Sequence, residues 1–173
     1  MAHSVELVFD PGTEESIRRI WDDLREAGIP SQAPRSRPHT TLTVAELIDP
    51  DVEALLAPLA TRLPVPCRIG APVVFGRGKM VLARLLVPTP ELLDIHAEVH
   101  RICLPYLHPG PMANALPGQW TGHVTVARRI EPAVLGRAVR IAGRPTDIDG
   151  SVVGLRRWDG GSKTEFRIGA APR

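Results

Sequence analysis

Aromatic residues are scarce in this 173-residue chain: three Trp, three Phe and one Tyr. That shortage is the one feature favouring a structural or partner-binding protein over a nucleic-acid enzyme. A few well-placed rings suffice for base stacking, however, and Trp120, Tyr106 and Trp158 are the candidates for a cleft edge. Cysteine is nearly absent. Cys67 and Cys103 stand far apart with no CxxC pair, which removes thiolate metal-ligand spacing and leaves two reduced thiols used as small apolar residues. No apolar run approaches the roughly 18 residues that span a bilayer. The start, MAHSVELVFD, lacks the basic opening and long apolar stretch of a signal peptide, so a cytoplasmic protein without membrane contact is expected. Charge of one sign is not in large excess either, at +2 overall, but it is uneven. Residues 121–173 hold ten Lys and Arg against five Asp and Glu, a distribution that favours attraction of a polyanion only weakly.

What is present is globular: 43% hydrophobic and 23% charged residues, with 18 Pro supplying many hard stops between short elements. The length fits a single domain over 1–173, with room for two small lobes sharing one interface. SVELVFD reads as a strand broken by Pro11-Gly12. Thr13 then stands as N-cap of a helix with Ile17, Ile20, Trp21 and Leu24 at helical spacing. IPSQAPRSRP is a loop bearing Arg35 and Arg37. A helix from Asp51 to about Arg62 precedes strands near Val65–Phe75 and Lys79–Val87, joined at GRGK, which lacks the first Gly and the Ser or Thr of a phosphate-binding loop. Thr89 caps a helix with Leu92, Leu93, Ile95, Val99 and Ile102 on its apolar face; His96 and His100 within it lack the HExxH arrangement and read as a partly exposed pair. The long connection CLPYLHPGPMANALPGQW reads as a functional edge, and a short helix over Pro132–Val139 and a hairpin turning near Gly160-Gly161 complete the chain. Helices and strands recur in each half, which points to an α+β duplication without a residue-by-residue repeat.

Two stretches carry chemistry. In GHVTVAR, His123 and Thr125 share one face of a strand, because successive strand side chains alternate; in RPHTTLTV, His39 and Thr41 do the same. Roughly 0.15 accidental His-x-Thr-apolar matches are expected in such a chain, so two make coincidence a poor account. Displacement at phosphorus places attacking and leaving oxygens on opposite sides. Two His can serve as base and acid, and two Thr hydroxyls can hold the non-bridging oxygens, without a metal. No cofactor is expected.

The pair HTTL and HVTV, 84 positions apart, resembles the signature of the two-histidine phosphoesterase superfamily, in particular its 2′-5′ RNA ligase-like, cyclic phosphodiesterase branch. PSQAPRSRPHTTL is also similar to the approach to the first motif in bacterial members. The resemblance implies an α+β, bilobal fold: two pseudo-twofold-related lobes of antiparallel sheet plus helices around a central cleft. It implies metal-independent hydrolysis of a 2′,3′-cyclic phosphate on an RNA end or a nucleotide, commonly to a 2′-phosphate, with ligation as the reverse reaction. No stable protein partner is expected. His39 and His123 inherit the catalytic roles, and Thr41 and Thr125 the phosphate-binding ones. By resemblance His123 activates water and His39 protonates the leaving oxygen; the residues themselves leave the reverse open. The alternative is a module that binds RNA ends or nucleotide phosphates without turnover. One departure stands out: Gly122 sits where many relatives have Pro before the second His, loosening the strand entrance. Arg84 interrupts the apolar strand MVLARLLV and is expected to meet either a carboxylate or a phosphate in the cleft. Arg129 shares the face of His123 by simple alternation, but about 20 Å away. Arg128 poses a similar question.

Overall fold

The computed structural model describes residues 2–33 and 35–169. Strand β1 (His3–Phe9) leads into helix α1 (Pro11–Glu26), followed by β2 (His39–Ala45), the two-residue β3 (Leu47–Ile48) and α2 (Val52–Ala60). Next come β4 (Val65–Phe75), β5 (Met80–Leu86), α3 (Pro90–Cys103) and β6 (Leu107–His108). The chain continues through β7 (His123–Ile130), α4 (Pro132–Ala142), β8 (Ile148–Asp159) and β9 (Thr164–Ile168). The element order is the expected one, with the short β3–β6 pair and a 3-10 turn at Leu104–Tyr106 added. No helix among the described residues is long and apolar enough to cross a membrane.

The cap of α1 differs from expectation. Asp10 is the N-cap, with Pro11 in the first turn, and its carboxylate accepts from the Thr13 backbone N–H at 3.0 Å and the Thr13 hydroxyl at 2.6 Å. Proline is a good first helical residue because the N–H it lacks has no partner there, so Pro11-Gly12 starts the helix instead of separating it from the strand. The same carboxylate accepts the Ser151 N–H at 2.7 Å, tying the helix start to β8. Burial works against ionisation of Asp10, but these donors outweigh it and hold its pKa below the usual carboxylate value. In α3 the Thr89 hydroxyl accepts from Leu92 N–H as expected; Leu93, however, lies outside the buried stripe and is half exposed.

Antiparallel neighbours run β2, β1, β8, β4, β5, β7, and β7 returns to β2 through one pair, Thr40 with Val124. The long β8 serves two halves of this ring. Its first residues pair with β4 and its last with β9, while β1 lies along its other edge. One lobe comprises β1, β2, β9 and the end of β8, covered by α2 and α3; the other comprises β4, β5, β7 and the start of β8, covered by α1 and α4. One apolar core runs through both lobes, with Leu56, Ile95 and Val99 supplied by α2 and α3 and Ile17, Leu24 and Ala138 by α1 and α4. The two His-x-Thr strands are thus neighbours where the lobes meet.

Arg84 is fully buried; among the described residues it forms no ion pair with a carboxylate, and it does not line the cleft. It faces the same side as Val124, its partner across the sheet, which is opposite the side of His123 and Thr125. Its guanidinium donates to four carbonyls: Gly70, Ile69 at 3.4 Å, Ala142 at 2.7 Å and Thr146 at 2.6 Å. A register irregularity in β4 lies between Ile69 and Pro72, and Ala142 ends α4. One cation therefore gathers carbonyls from a bulge, a helix C-terminus and a loop, where partial negative charge collects. Burial pushes its pKa down, and the Asp147 carboxylate opposes that effect.

Candidate active site

Each His-x-Thr strand carries an extra residue at the same place. In β2, His39, Thr40 and Thr41 face Val8, Leu7 and Glu6 of β1; the register then slips, so that Thr43 faces Val5. In β7, His123, Val124 and Thr125 face Leu85, Arg84 and Ala83 of β5; the register slips again, so that Ala127 faces Leu82. The inserted residues are Leu42 and Val126. A bulge reverses the alternation beyond it, so the next side chain on the His and Thr face is Val44 in one strand and Arg128 in the other. Arg129, which simple alternation would put on that face, instead adopts a left-handed φ of 59° at a second irregularity.

The face so formed lines two adjoining hollows. His123, Thr125, Phe75 and Trp120 border one of about 540 Å³. His39, Glu6, Arg156 and Trp158 border the other, of about 390 Å³. Thr41, Val44 and Arg128 belong to both, so all four motif side chains open on one continuous cleft. Tyr106 does not join them; it borders a separate groove with Leu55 and Ile102.

The two imidazoles are held alike. His39 Nδ1–H donates to the Arg37 carbonyl at 2.8 Å, and His123 Nδ1–H donates to the Thr121 carbonyl at 2.7 Å. In each case the acceptor lies two residues earlier, and the bond fixes the tautomer with Nε2 left for chemistry. The Thr40 hydroxyl donates to the His123 carbonyl at 3.1 Å, joining the strands. Indole N–H groups brace both motif threonines through their carbonyls: Trp120 on Thr41 at 2.9 Å and Trp21 on Thr125 at 3.2 Å.

Their surroundings differ. Burial is the main influence lowering the pKa of His123; the Thr121 carbonyl opposes it, and the Arg128 guanidinium and the neighbouring His39 ring act in the lowering direction. The Phe75 ring lies 4.6 Å from the His123 ring. His39 instead stands among charges, with Glu6 Oε1 3.6 Å from its Nε2. Glu6 is itself gripped by Arg156 at 2.6 Å, which also holds Glu165 at 2.5 Å, while Arg37 joins Glu165 to Glu14.

His96 is buried, contrary to the partly exposed pair expected in α3. Its ring stacks on Trp120 with centroids 4.3 Å apart, and Nε2–H donates to the Ala115 carbonyl at 3.0 Å. Burial lowers its pKa and favours the neutral ring. The pair builds the cleft wall and explains Gly122, where a Cβ would stand 2.8 Å from the Trp120 ring. Gly122 therefore admits the indole; it does not simply loosen the strand. Gly122→Ala is expected to displace Trp120 and cost about 1–3 kcal/mol through overpacking, read from the denaturant midpoint.

A family model described as the 2′-5′ RNA ligase superfamily matches residues 13–162. Among curated proteins, no sequence matches. Among solved structures, Escherichia coli LigT complexed with 3′-AMP aligns with TM-score 0.59 at 13% identity, over 96% of this chain and 93% of that one. The MHV ns2 PDE domain aligns with TM-score 0.52 at 15% identity, over 97% and 99%. Kluyveromyces marxianus Usb1 with uridine monophosphate gives 0.50 at 11% identity, over 96% and 97%. At these identities the likeness establishes the shared fold, helices and antiparallel sheet in the two-histidine phosphoesterase arrangement.

Proposed function

Because the chain belongs to the 2′-5′ RNA ligase superfamily of two-histidine phosphoesterases, we propose that its cleft hydrolyses 2′,3′-cyclic phosphates on RNA ends or nucleotides, leaving a 2′-phosphate. The observation that carries this reading is the matched pair of imidazoles, each with Nδ1 committed to a backbone carbonyl and Nε2 turned to the same cleft as two threonine hydroxyls. Nucleotides in the solved structures of LigT and Usb1 support a nucleotide-sized ligand. The cytoplasmic setting expected from the sequence belongs to the same proposal.

In this reading His123 Nε2 takes a proton from water as the water oxygen bonds to phosphorus. The bond from phosphorus to the ribose 3′ oxygen breaks, and His39 Nε2–H supplies the proton that oxygen needs. Thr41 and Thr125 donate to the non-bridging oxygens, where charge grows in the transition state. No step requires a metal. Burial and the nearby cations suit His123 to the base role, because they keep it neutral at a pH where an ordinary imidazole begins to protonate.

The test is incubation of the protein with EDTA and a panel of 2′,3′-cyclic nucleotides and cyclic-phosphate-ended RNA, with identification of products. Turnover to 2′-phosphates is expected; binding without turnover on every substrate would favour the non-catalytic module instead. Activity should rise with pH through the deprotonation of His123, with a midpoint below about 6.5, and fall as His39 loses its proton. Thr41→Ala or Thr125→Ala should remove a charge-assisted hydrogen bond and raise the barrier read from kcat/KM by about 1.5–3 kcal/mol.

A further inference from the structure

The two motif strands are equivalent residue by residue up to and beyond their bulges, so their cross-strand partners can be compared directly. Thr41 faces Glu6, and Thr125 faces Ala83. A carboxylate thus stands in one arm of the cleft where the other has a methyl group. Beyond the bulges the contrast is Val44 on the His39 arm against the cationic Arg128 on the His123 arm. Two otherwise matched arms are made electrically unlike by substitutions at two positions outside the motifs.

We propose that Glu6 is the positioning residue that commits His39 to the acid role, its carboxylate facing the protonated imidazole from the neighbouring strand while Ala83 leaves His123 free to act as base. The proposal rests on the hydrolytic reading above. Glu6 is only 3% exposed, and its position is tightly specified: the Ser4 hydroxyl donates to Oε1 at 2.5 Å, and Arg156 donates to Oε2 through Nε at 2.7 Å and lies within 2.6 Å through its terminal nitrogen. Oε1 lies 3.6 Å from His39 Nε2. That separation is too long for a hydrogen bond and short enough for strong attraction between charges. Glu6 can therefore favour the imidazolium without capturing the Nε2 proton that the leaving oxygen needs.

Several of the other charges around His39 have partners that limit their effect. Arg156, 3.4 Å from Nδ1, is a single cation facing two carboxylates, Glu6 of β1 and Glu165 of β9, so it offsets the charge of Glu6 only in part. Arg37 from the preceding loop binds Glu14 and Glu165, and Arg167 reaches Glu165 only from the exposed rim. His3 pairs with Asp159 at 3.3 Å. Arg35 from the loop and Arg128 from β7 border the same hollow, and His123, in the adjoining hollow, is near enough to interact with His39 through charge.

Glu6→Gln keeps the shape and removes the charge. NMR titration of the two imidazoles in the intact protein is expected to show the His39 midpoint falling by about one pH unit in E6Q, with His123 moving much less. In the pH profile of kcat/KM on a 2′,3′-cyclic nucleotide, the falling limb should shift down by a similar amount, with about a tenfold loss at pH 8, and the rising limb should stay in place. Glu6→Asp, which retains a carboxylate, should restore most of the His39 midpoint and serves as the comparison if E6Q unfolds. A His39 midpoint unchanged in E6Q, or equal displacement of both limbs, would overturn the proposal. Should the wild-type protein turn over no cyclic phosphate, the hydrolytic reading fails, while the imidazole titration still decides whether Glu6 holds the proton on His39.

Discussion

His39→Ala and His123→Ala are each expected to lower turnover of a 2′,3′-cyclic phosphate by about 10²-fold or more, measured as kcat at the wild-type pH optimum. The size follows from the chemistry, because each residue moves a proton in the step that forms or breaks a bond to phosphorus, and alanine leaves only water in its place. The two losses should differ in kind. A substrate whose leaving group departs without protonation should rescue the variant lacking the acid, expected to be His39→Ala, and leave the variant lacking the base impaired. Such selective rescue assigns the roles by experiment. Near-normal turnover in both variants would remove these residues from the mechanism.

The second large effect concerns stability. Arg84→Met preserves much of the side-chain volume but withdraws every hydrogen bond that the guanidinium makes to the carbonyls of Gly70, Ile69, Ala142 and Thr146. A buried polar group left without a partner costs about 1–3 kcal/mol. Several lost at once compare with the 5–15 kcal/mol that holds an ordinary domain folded. Arg84→Met is therefore expected to lose at least about 3 kcal/mol in urea unfolding, or to fail to fold. Arg84→Lys should recover only part of this, since an ammonium cannot reach in several directions from one plane. A loss below about 1 kcal/mol would mean that the carbonyls find other donors. As Arg84 lies on the sheet face away from His123, folded Arg84→Lys protein should retain its catalytic rate.

The contrast between these residues shows which features a sequence makes legible. His39, Thr41, His123 and Thr125 could be grouped because they sit at alternate positions in strands rich in β-branched residues, and the alternation holds across each motif. It fails just beyond, at Leu42 and Val126. A bulge is a single unpaired residue with no distinctive composition here, so simple alternation put Arg129 on the face of His123, about 20 Å off, when the fold turns Arg128 into the cleft. Arg84 was visible as an anomaly in an apolar strand, but its solution depends on carbonyls 14 to 62 residues away, released by a bulge, a helix end and a loop. Glu6 gave no signal, because SVELVFD reads as an ordinary strand until β8 brings Arg156 across it. The helix start at Pro11 was obscured by a residue pair that marks turns and helix beginnings equally. Local periodicity thus located the elements and the motifs, while the groups that distinguish one arm from the other come from pairing across the sheet.

One phosphate shared by both arms of the cleft should be visible in a crystal structure of the protein with a nucleoside 2′-monophosphate. A single phosphate is expected within hydrogen-bond reach of Nε2 of both His39 and His123 and of the hydroxyls of both Thr41 and Thr125, with the nucleoside extending along the cleft. A phosphate bound to one arm alone, or seated elsewhere on the molecule, would contradict that arrangement.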